Sequence, residues 1–280
     1  MRELEKTKEE LIGIIERSIT TLNIPEGTKE IGYGVFMKYY DLERVTIPNS
    51  VTSIGERAFE YCNGLISVTI PNSVTEIGDY AFSDCESLTS VTIGNSVTSI
   101  GRGVFMDCFD LNNINIPDSA TEIGDGAFLN CGSLASINIP NGVTKIGELA
   151  FSHCESLTSV IIPNSVTEIG GHAFSGCYAL TSVTIPNNVT SISNYTFIHC
   201  TSLTSVTIPN SVTRIGELAF SECYELTSVT IEATTPPSLG TYAFEHCDNL
   251  ENIYVPSESV EAYKTASDWS KYADKIEAIA

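Results

Sequence analysis

Nine cysteines are the residues of this sequence best suited to chemistry, because a thiolate can ligate a metal, attack an electrophile or form a disulfide. They recur every 23 residues from Cys62 to Cys223, and a last step of 24 leads to Cys247. The count is odd and the single file holds no C-x-x-C pair, so neither a disulfide framework nor a metal site is expected. We predict a buried column of small apolar side chains, with no metal and no cofactor.

The four histidines, His153, His172, His199 and His246, are the other residues that could catalyse a reaction or bind a metal. Three of them share one repeat position two units apart, which separates neighbours by roughly 10 Å, too far for one ion. The sequence has no G-x-S-x-G motif and no glycine-rich phosphate loop. We therefore expect that the protein is not an enzyme.

A repeated unit must position these residues: V-T-x-I-G-x-x-A-F-x-x-C-x-x-L-x-x-V-x-I-P-N-S. Ten units run from Thr28 to about Glu258, and residues 19–27 form half of another. The alternation in L-x-x-V-x-I predicts a strand, the Pro-Asn pair predicts a turn, and V-T-x-I predicts a shorter extended segment. The segment G-x-x-A-F-x-x-C fits one or two helical turns, with its Ala, Phe and Cys facing inward.

A fixed period of this length predicts an α/β solenoid in which each coil contacts only its neighbours. We expect a right-handed coil with a parallel β-sheet face, a short helical or irregular opposite face, and helical caps at both ends. The expected boundaries are an N-terminal helical cap at 1–18, the solenoid at 19–258 and a C-terminal helical cap at 259–280, all in one continuous domain. Trp269, with Tyr263, Tyr272 and Ile276, is expected to anchor the second cap.

The composition excludes some partners. The formal net charge of −21 argues against nucleic acid and against anionic membrane surfaces. No apolar run is long enough to span a membrane, so membrane insertion is not expected. Residues 1–18 lack the pattern of a secretory leader, which leaves a cytoplasmic location open.

The strand face is the default recognition surface of a solenoid. Its outward positions are mostly Ser and Thr, and from the second unit to the ninth they carry no charge. A partner with an irregular surface would bind where the outward residues depart from Ser and Thr. A partner with a repetitive surface would bind along the uniform central units. The alternative is structural, since stacked Ser and Thr pair well across parallel strands. The candidate partner-binding residues are Arg44, Thr92, Asn113, Asn115, Asn138, Ile161, Thr184, Thr207, Asn252 and Tyr254.

The succession of C-x-x-L-x-x-V-x-I-P and V-x-x-I-G-x-x-A-F resembles the BspA-like leucine-rich repeats of the Treponema type, which have 23-residue units. The resemblance covers residues 19–280. It implies a secreted or surface-exposed bacterial protein, adhesin-like and non-enzymatic, that binds a host matrix protein, a cell surface or a glycan. The rival interpretation is an intracellular or structural scaffold for protein–protein interaction. We expect a monomer in either case.

Overall fold

The strands that follow the leucine of each repeat build one face of the molecule. The structure is a computed structural model that describes residues 18–279, so the predicted N-terminal cap lies outside the described residues except for Ser18. Neighbouring strands are parallel and pair one repeat apart, as in Thr69 with Thr92 and Thr184 with Thr207. Because side chains alternate along a strand, the Val and Ile residues enter the core and the Ser and Thr residues face outward. The predicted parallel face is confirmed.

This strand face consists of two sheets that meet between Ile114 and Ser136. The first sheet has five strands: Thr21–Asn23, Arg44–Thr46, Ser67–Ile70, Ser90–Ile93 and Asn113–Ile114. The second sheet has seven strands: Ser136–Asn138, Ser159–Ile161, Ser182–Thr184, Ser205–Ile208, Ser228–Ile231, Asn252–Val255 and Ile276–Ala278.

Two-residue strands from the V-T-x-I segments form a second ladder beside the first. They are Glu30–Ile31, Ser53–Ile54, Glu76–Ile77, Ser99–Ile100, Glu122–Ile123, Lys145–Ile146, Glu168–Ile169, Ser191–Ile192, Arg214–Ile215 and Ser238–Leu239. The glycine that follows is required where coils approach closely: a Cβ on Gly78 would lie 2.3 Å from the backbone nitrogen of Glu56. The ladder is interrupted twice, between Glu76–Ile77 and Ser99–Ile100 and between Glu168–Ile169 and Ser191–Ile192. Ser193 takes that glycine's place in one coil.

The corner that joins each short strand to its cysteine is a series of turns and not the helical turn that the spacing suggested. Two residues of each corner, such as Arg57 and Tyr61, have left-handed backbone angles (φ 56° and 61°). Their amides donate to the next coil, to the carbonyls of Asp79 and Ser83, each at 2.9 Å. A helix would use those amides internally. Bonding between coils therefore replaces bonding within the corner and offsets the cost of the left-handed conformation.

One hydrophobic cluster runs from Ile24 to Ile276. Its phenylalanines stack in a file, with ring centroids 5.2 Å apart for Phe59 and Phe82 and 5.8 Å apart for Phe82 and Phe105. Each repeat therefore adds one equivalent layer to a shared core.

The C-terminal segment covers the last coil. It contains a 3-10 turn at Ser257–Ser259, helix α1 at Val260–Thr265, a second 3-10 segment at Ser270–Lys275 and the strand Ile276–Ala278, which pairs with Asn252–Val255. Trp269 is 1% exposed, and its Nε1 donates to the Pro237 carbonyl at 2.8 Å. The anchoring role predicted for Trp269 is confirmed, whereas the closing strand was not predicted. Within the described residues, no helix has the length and apolarity needed to cross a membrane.

Candidate binding face

The cysteine column belongs to the core. All nine thiols are free and buried. Each Sγ donates to a phenylalanine carbonyl of the preceding coil, as Cys85 does to Phe59 at 3.3 Å and Cys177 to Phe151 at 3.3 Å. Burial raises the pKa of these thiols, for Cys177 to about 12, so they remain protonated and weakly nucleophilic at neutral pH. Among the described residues, no group of three or more His, Cys, Asp and Glu residues could hold a metal ion.

Three of the four histidines line the same surface cleft. His153, His172 and His199 line one open cleft of about 660 Å³ on the corner face, together with Tyr178 and Tyr195. The ring of His172 stacks on Tyr195 at 4.5 Å, and its partial burial lowers the pKa of the imidazole. The sequence reasoning missed this because it compared only equivalent repeat positions, and His172 occupies another one.

His199 is already engaged outside that cleft. Its Nδ1 lies 3.1 Å from Glu222 Oε2, one coil further along. No thiol of the described region reaches the cleft, since every cysteine is buried in the core. The cleft thus brings aromatic surface together, and the two serines that also line it, Ser152 and Ser175, are buried.

A groove on the first sheet brings together residues from four successive coils. It has a volume of about 800 Å³, and it contains three candidates that the sequence analysis singled out: Arg44, Thr92 and Asn115. Its lining residues are Arg44, Val45, Thr46, Ile47, Asn49, Ser67, Thr69, Ile70, Pro71, Asn72, Thr92, Ile93, Gly94, Asn95 and Asn115.

Two departures from the repeat accompany the groove. Gly94 stands where the neighbouring unit has Pro71, and a Cβ on it would lie 2.6 Å from the Pro71 carbonyl oxygen. The Asn115 side chain bonds to the backbone of the preceding coil: its Oδ1 accepts from the Ile93 amide and its Nδ2 donates to the Ile93 carbonyl, both at 3.1 Å. A threonine, which usually stands at the Asn115 position, has no planar amide with which to make this pair of bonds.

The groove also differs in charge from the rest of the chain. Its lining contains no Asp or Glu, although the sequence holds 35 acidic and 14 basic residues. Arg44 is exposed, and no carboxylate of the described residues lies within 4.0 Å of it. By contrast, Arg57, Arg102 and Lys145 each have an acidic neighbour. The groove therefore presents a cation free to meet a ligand.

The repeat pattern matches a known family over most of the chain. The model of the BspA type leucine-rich repeat region matches residues 15–134 and 121–251 in six copies. The chain belongs to this family.

Several solved structures resemble this BspA-type chain. A leucine-rich repeat protein from Bacteroides ovatus is 29% identical, with a TM-score of 0.65 over 92% of this chain and 77% of its own. The pneumococcal vaccine antigen PcpA is 17% identical, with a TM-score of 0.54 over 93% of this chain and 79% of its own, a likeness of fold alone. A Treponema pallidum leucine-rich repeat protein is 28% identical, with a TM-score of 0.47 over 84% of this chain and 86% of its own. No curated protein matches the sequence significantly.

Membership in the BspA-type family carries general properties. Leucine-rich repeat solenoids of this family are typically non-enzymatic, and their fold is suited to protein binding. Proteins of the BspA type are often associated with the cell surface.

The remaining candidates of this BspA-type array do not lie in the groove. Asn113 is exposed on the last strand of the first sheet. Asn138, Ile161, Thr184 and Thr207 follow one another in register on the second sheet, and Ile161 is 80% exposed.

Asn252 and Tyr254 are half-buried beside the C-terminal segment, where Tyr254 pairs with Glu277. The structure thus divides the ten candidates among four places: the groove, the last strand of the first sheet, the middle of the second sheet and the C-terminal end. The sequence analysis missed Thr69, Asn72 and Gly94 of the groove, although the change from I-P-N-S to I-G-N-S was a visible signal.

Proposed function

We propose that this BspA-type protein is a non-enzymatic, adhesin-like binding protein that acts at a bacterial surface or after secretion. Its partner is a host matrix protein, a cell surface or a glycan, and the partner binds in the groove of the first sheet. The observation that carries the proposal is the groove itself, which gathers Arg44, Thr92 and Asn115 from three coils around one cavity of about 800 Å³. Recognition sites are commonly concave and contain a few convergent polar groups.

The contrast with the rest of the strand face supports this location. On the second sheet, Thr184 and Thr207 continue the Ser/Thr stripe, but neither lines any of the cavities described above. If the stacked threonines served packing alone, we would expect the same arrangement along the whole strand face. The groove, in contrast, is lined by Gly94 and Asn115, which break the repeat.

We further propose that the protein acts as a monomer. Repeat arrays expose unpaired strand edges at their ends and can associate through them. Here the apolar end of the last coil is covered by the C-terminal segment, in which the rings of Tyr263 and Trp269 are buried. An apolar end covered in this way does not offer a hydrophobic face to a second copy.

The test uses one substitution in the groove and a matched one outside it. Thr92→Tyr places a bulky neutral ring in the groove, and Thr207→Tyr places the same ring at the equivalent exposed position of the second sheet. The fold accepts a tyrosine at this position, because Tyr254 occupies it in the last coil. Binding of the purified chain to immobilised matrix proteins, mucin and host cells is measured at physiological salt.

We expect Thr92→Tyr to weaken binding at least about tenfold through steric exclusion, while Thr207→Tyr leaves it unchanged. Thermal unfolding of both variants serves as the folding control. Equal binding by the two variants would reject the groove. Absence of binding to every surface would reject the adhesin proposal and favour the scaffold alternative.

A further inference from the structure

The charge of the groove restricts the chemistry of its ligand. In a chain with a net charge of −21, an anionic ligand is repelled by most of the surface. The groove lining is free of carboxylates and carries the unpaired guanidinium of Arg44 at one end. An arginine pairs with a carboxylate through two parallel hydrogen bonds, which makes it the preferred residue for that group. The groove thus suits a ligand with an acidic group near Arg44.

The other lining residues restrict the ligand further. Thr46 and Thr69 offer hydroxyl groups, which both donate and accept hydrogen bonds. Asn72 and Asn115 offer the capacity that remains after Asn72 Oδ1 has accepted from the Asn95 amide and Asn115 has bonded to the Ile93 backbone. The lining has no Trp, Tyr, Phe or Met, the residues that usually anchor a protein partner. A ligand rich in hydroxyl groups would match these side chains better than a peptide would.

The backbone of the groove also disfavours an extended peptide. A peptide that binds to a sheet usually adds a strand to an unpaired edge. The strands Ser67–Ile70 and Ser90–Ile93 are paired with each other in register from Ser67 with Ser90 to Ile70 with Ile93. They are also internal to the first sheet, so their edges are occupied. Recognition must therefore pass through side chains.

We propose that the ligand of the groove is a carboxylated oligosaccharide, whose carboxylate pairs with Arg44 and whose hydroxyl groups bond to the Thr and Asn side chains. This inference rests on the proposed function, because it names the ligand class of the same groove. Thr69 and Thr92 are neighbours in register, so a glycan chain that crosses the strands meets the same hydroxyl every ~4.8 Å. Such repetition allows successive sugars to be held in the same way.

The experiment measures calorimetric binding of two acidic probes and their neutral counterparts to the full chain. Trigalacturonate is compared with its methyl ester, and sialyllactose is compared with lactose. These two pairs distinguish a uronic acid from a sialic acid as the source of the carboxylate. We expect at least one acidic probe to bind, and its neutral counterpart to bind at least about tenfold more weakly.

Two variants locate the contact. Arg44→Ser and Arg214→Ser each remove one positive charge, and each introduces the residue found at the register partner, Ser67 and Ser191 respectively. Arg44→Ser should weaken binding of the acidic probe at least about tenfold, and Arg214→Ser should not. Equal effects of the two variants would indicate general electrostatic attraction and would overturn the assignment to Arg44.

Other outcomes separate this inference from the proposed function. If no acidic probe binds, or if the neutral probes bind equally well, the carboxylated-glycan inference is wrong. The proposed function survives that result only where the chain still binds a host surface and Thr92→Tyr abolishes that binding.

Discussion

The first and second sheets of the strand face share one core but differ at the surface. Phe59 and Phe82 stack at 5.2 Å beneath the first sheet, and Phe151 and Phe174 stack at 5.3 Å beneath the second. The groove, with Gly94 among its lining residues, is confined to the first sheet. Gly94 is buried, so the solvent-facing departures from the repeat in the groove are Arg44 and Asn115, and these are the residues that the proposed partner would contact.

The largest expected effect tests whether the core is equivalent in both halves. Burial raises the pKa of the thiols in the folded protein, whereas an unfolded thiol titrates near pH 8.5. Above that pH the unfolded chain loses protons that the folded chain keeps, so the free energy of unfolding falls as pH rises. Each thiol contributes a slope of up to about 1.4 kcal/mol per pH unit, and nine are buried. Urea unfolding under reducing conditions, between about pH 7.5 and about pH 9.5, measures the slope.

Cys85→Ala in the first half and Cys200→Ala in the second provide the matched comparison. Both thiols are fully buried, so each variant should reduce the slope by the contribution of one titrating thiol. Stability that stays constant across this pH range would contradict the burial of the column. Unequal reductions would show that the two halves differ in their cores.

A smaller effect is expected from truncating the phenylalanine file. Phe82→Ala and Phe174→Ala each remove a fully buried ring that stacks on a neighbour on both sides. Each should lower the free energy of unfolding by about 3–5 kcal/mol, since a cavity replaces the ring. Denaturant unfolding measures both losses. If they differ by more than about 2 kcal/mol, the cores of the two halves are not equivalent.

The next effect should distinguish the halves. Gly94→Ala brings a Cβ to 2.6 Å from the Pro71 carbonyl oxygen and should destabilise the fold by about 1–3 kcal/mol. Pro209→Ala, at the equivalent position under the second sheet, should cost only about 0.4–1 kcal/mol through the freer unfolded chain. Thermal unfolding compares the two. If Gly94→Ala lowered the free energy of unfolding by no more than Pro209→Ala does, the coils around the groove would have moved apart to admit the new methyl group.

Much of this architecture is readable in the sequence because the physical requirements repeat. The alternation in L-x-x-V-x-I places Val and Ile inside, and the steps between cysteines set the coil length. The anchoring role of Trp269 follows from the need to cover the last coil. The outward position of Thr92 and its register with Thr69 follow from the same period.

The remaining features depend on contacts between coils that a single repeat does not reveal. The left-handed angles of Arg57 and Tyr61 occur at residues that do not favour them, and bonds to the next coil hold them there. In the groove, the Asn115 side chain bonds to the Ile93 backbone, 22 residues away. The strand Ile276–Ala278 pairs with Asn252–Val255, a contact that lies outside the repeat period.

Amide chemical-shift mapping of the isotopically labelled chain with its bound ligand tests most directly whether partners bind at the first sheet. The ligand is taken from whichever surface or probe gives saturable binding. We predict shift changes centred on Arg44, Thr69, Thr92 and Asn115, with Thr184 and Thr207 unaffected. Changes centred on Thr184 and Thr207, or spread evenly along the strand face, would contradict the account.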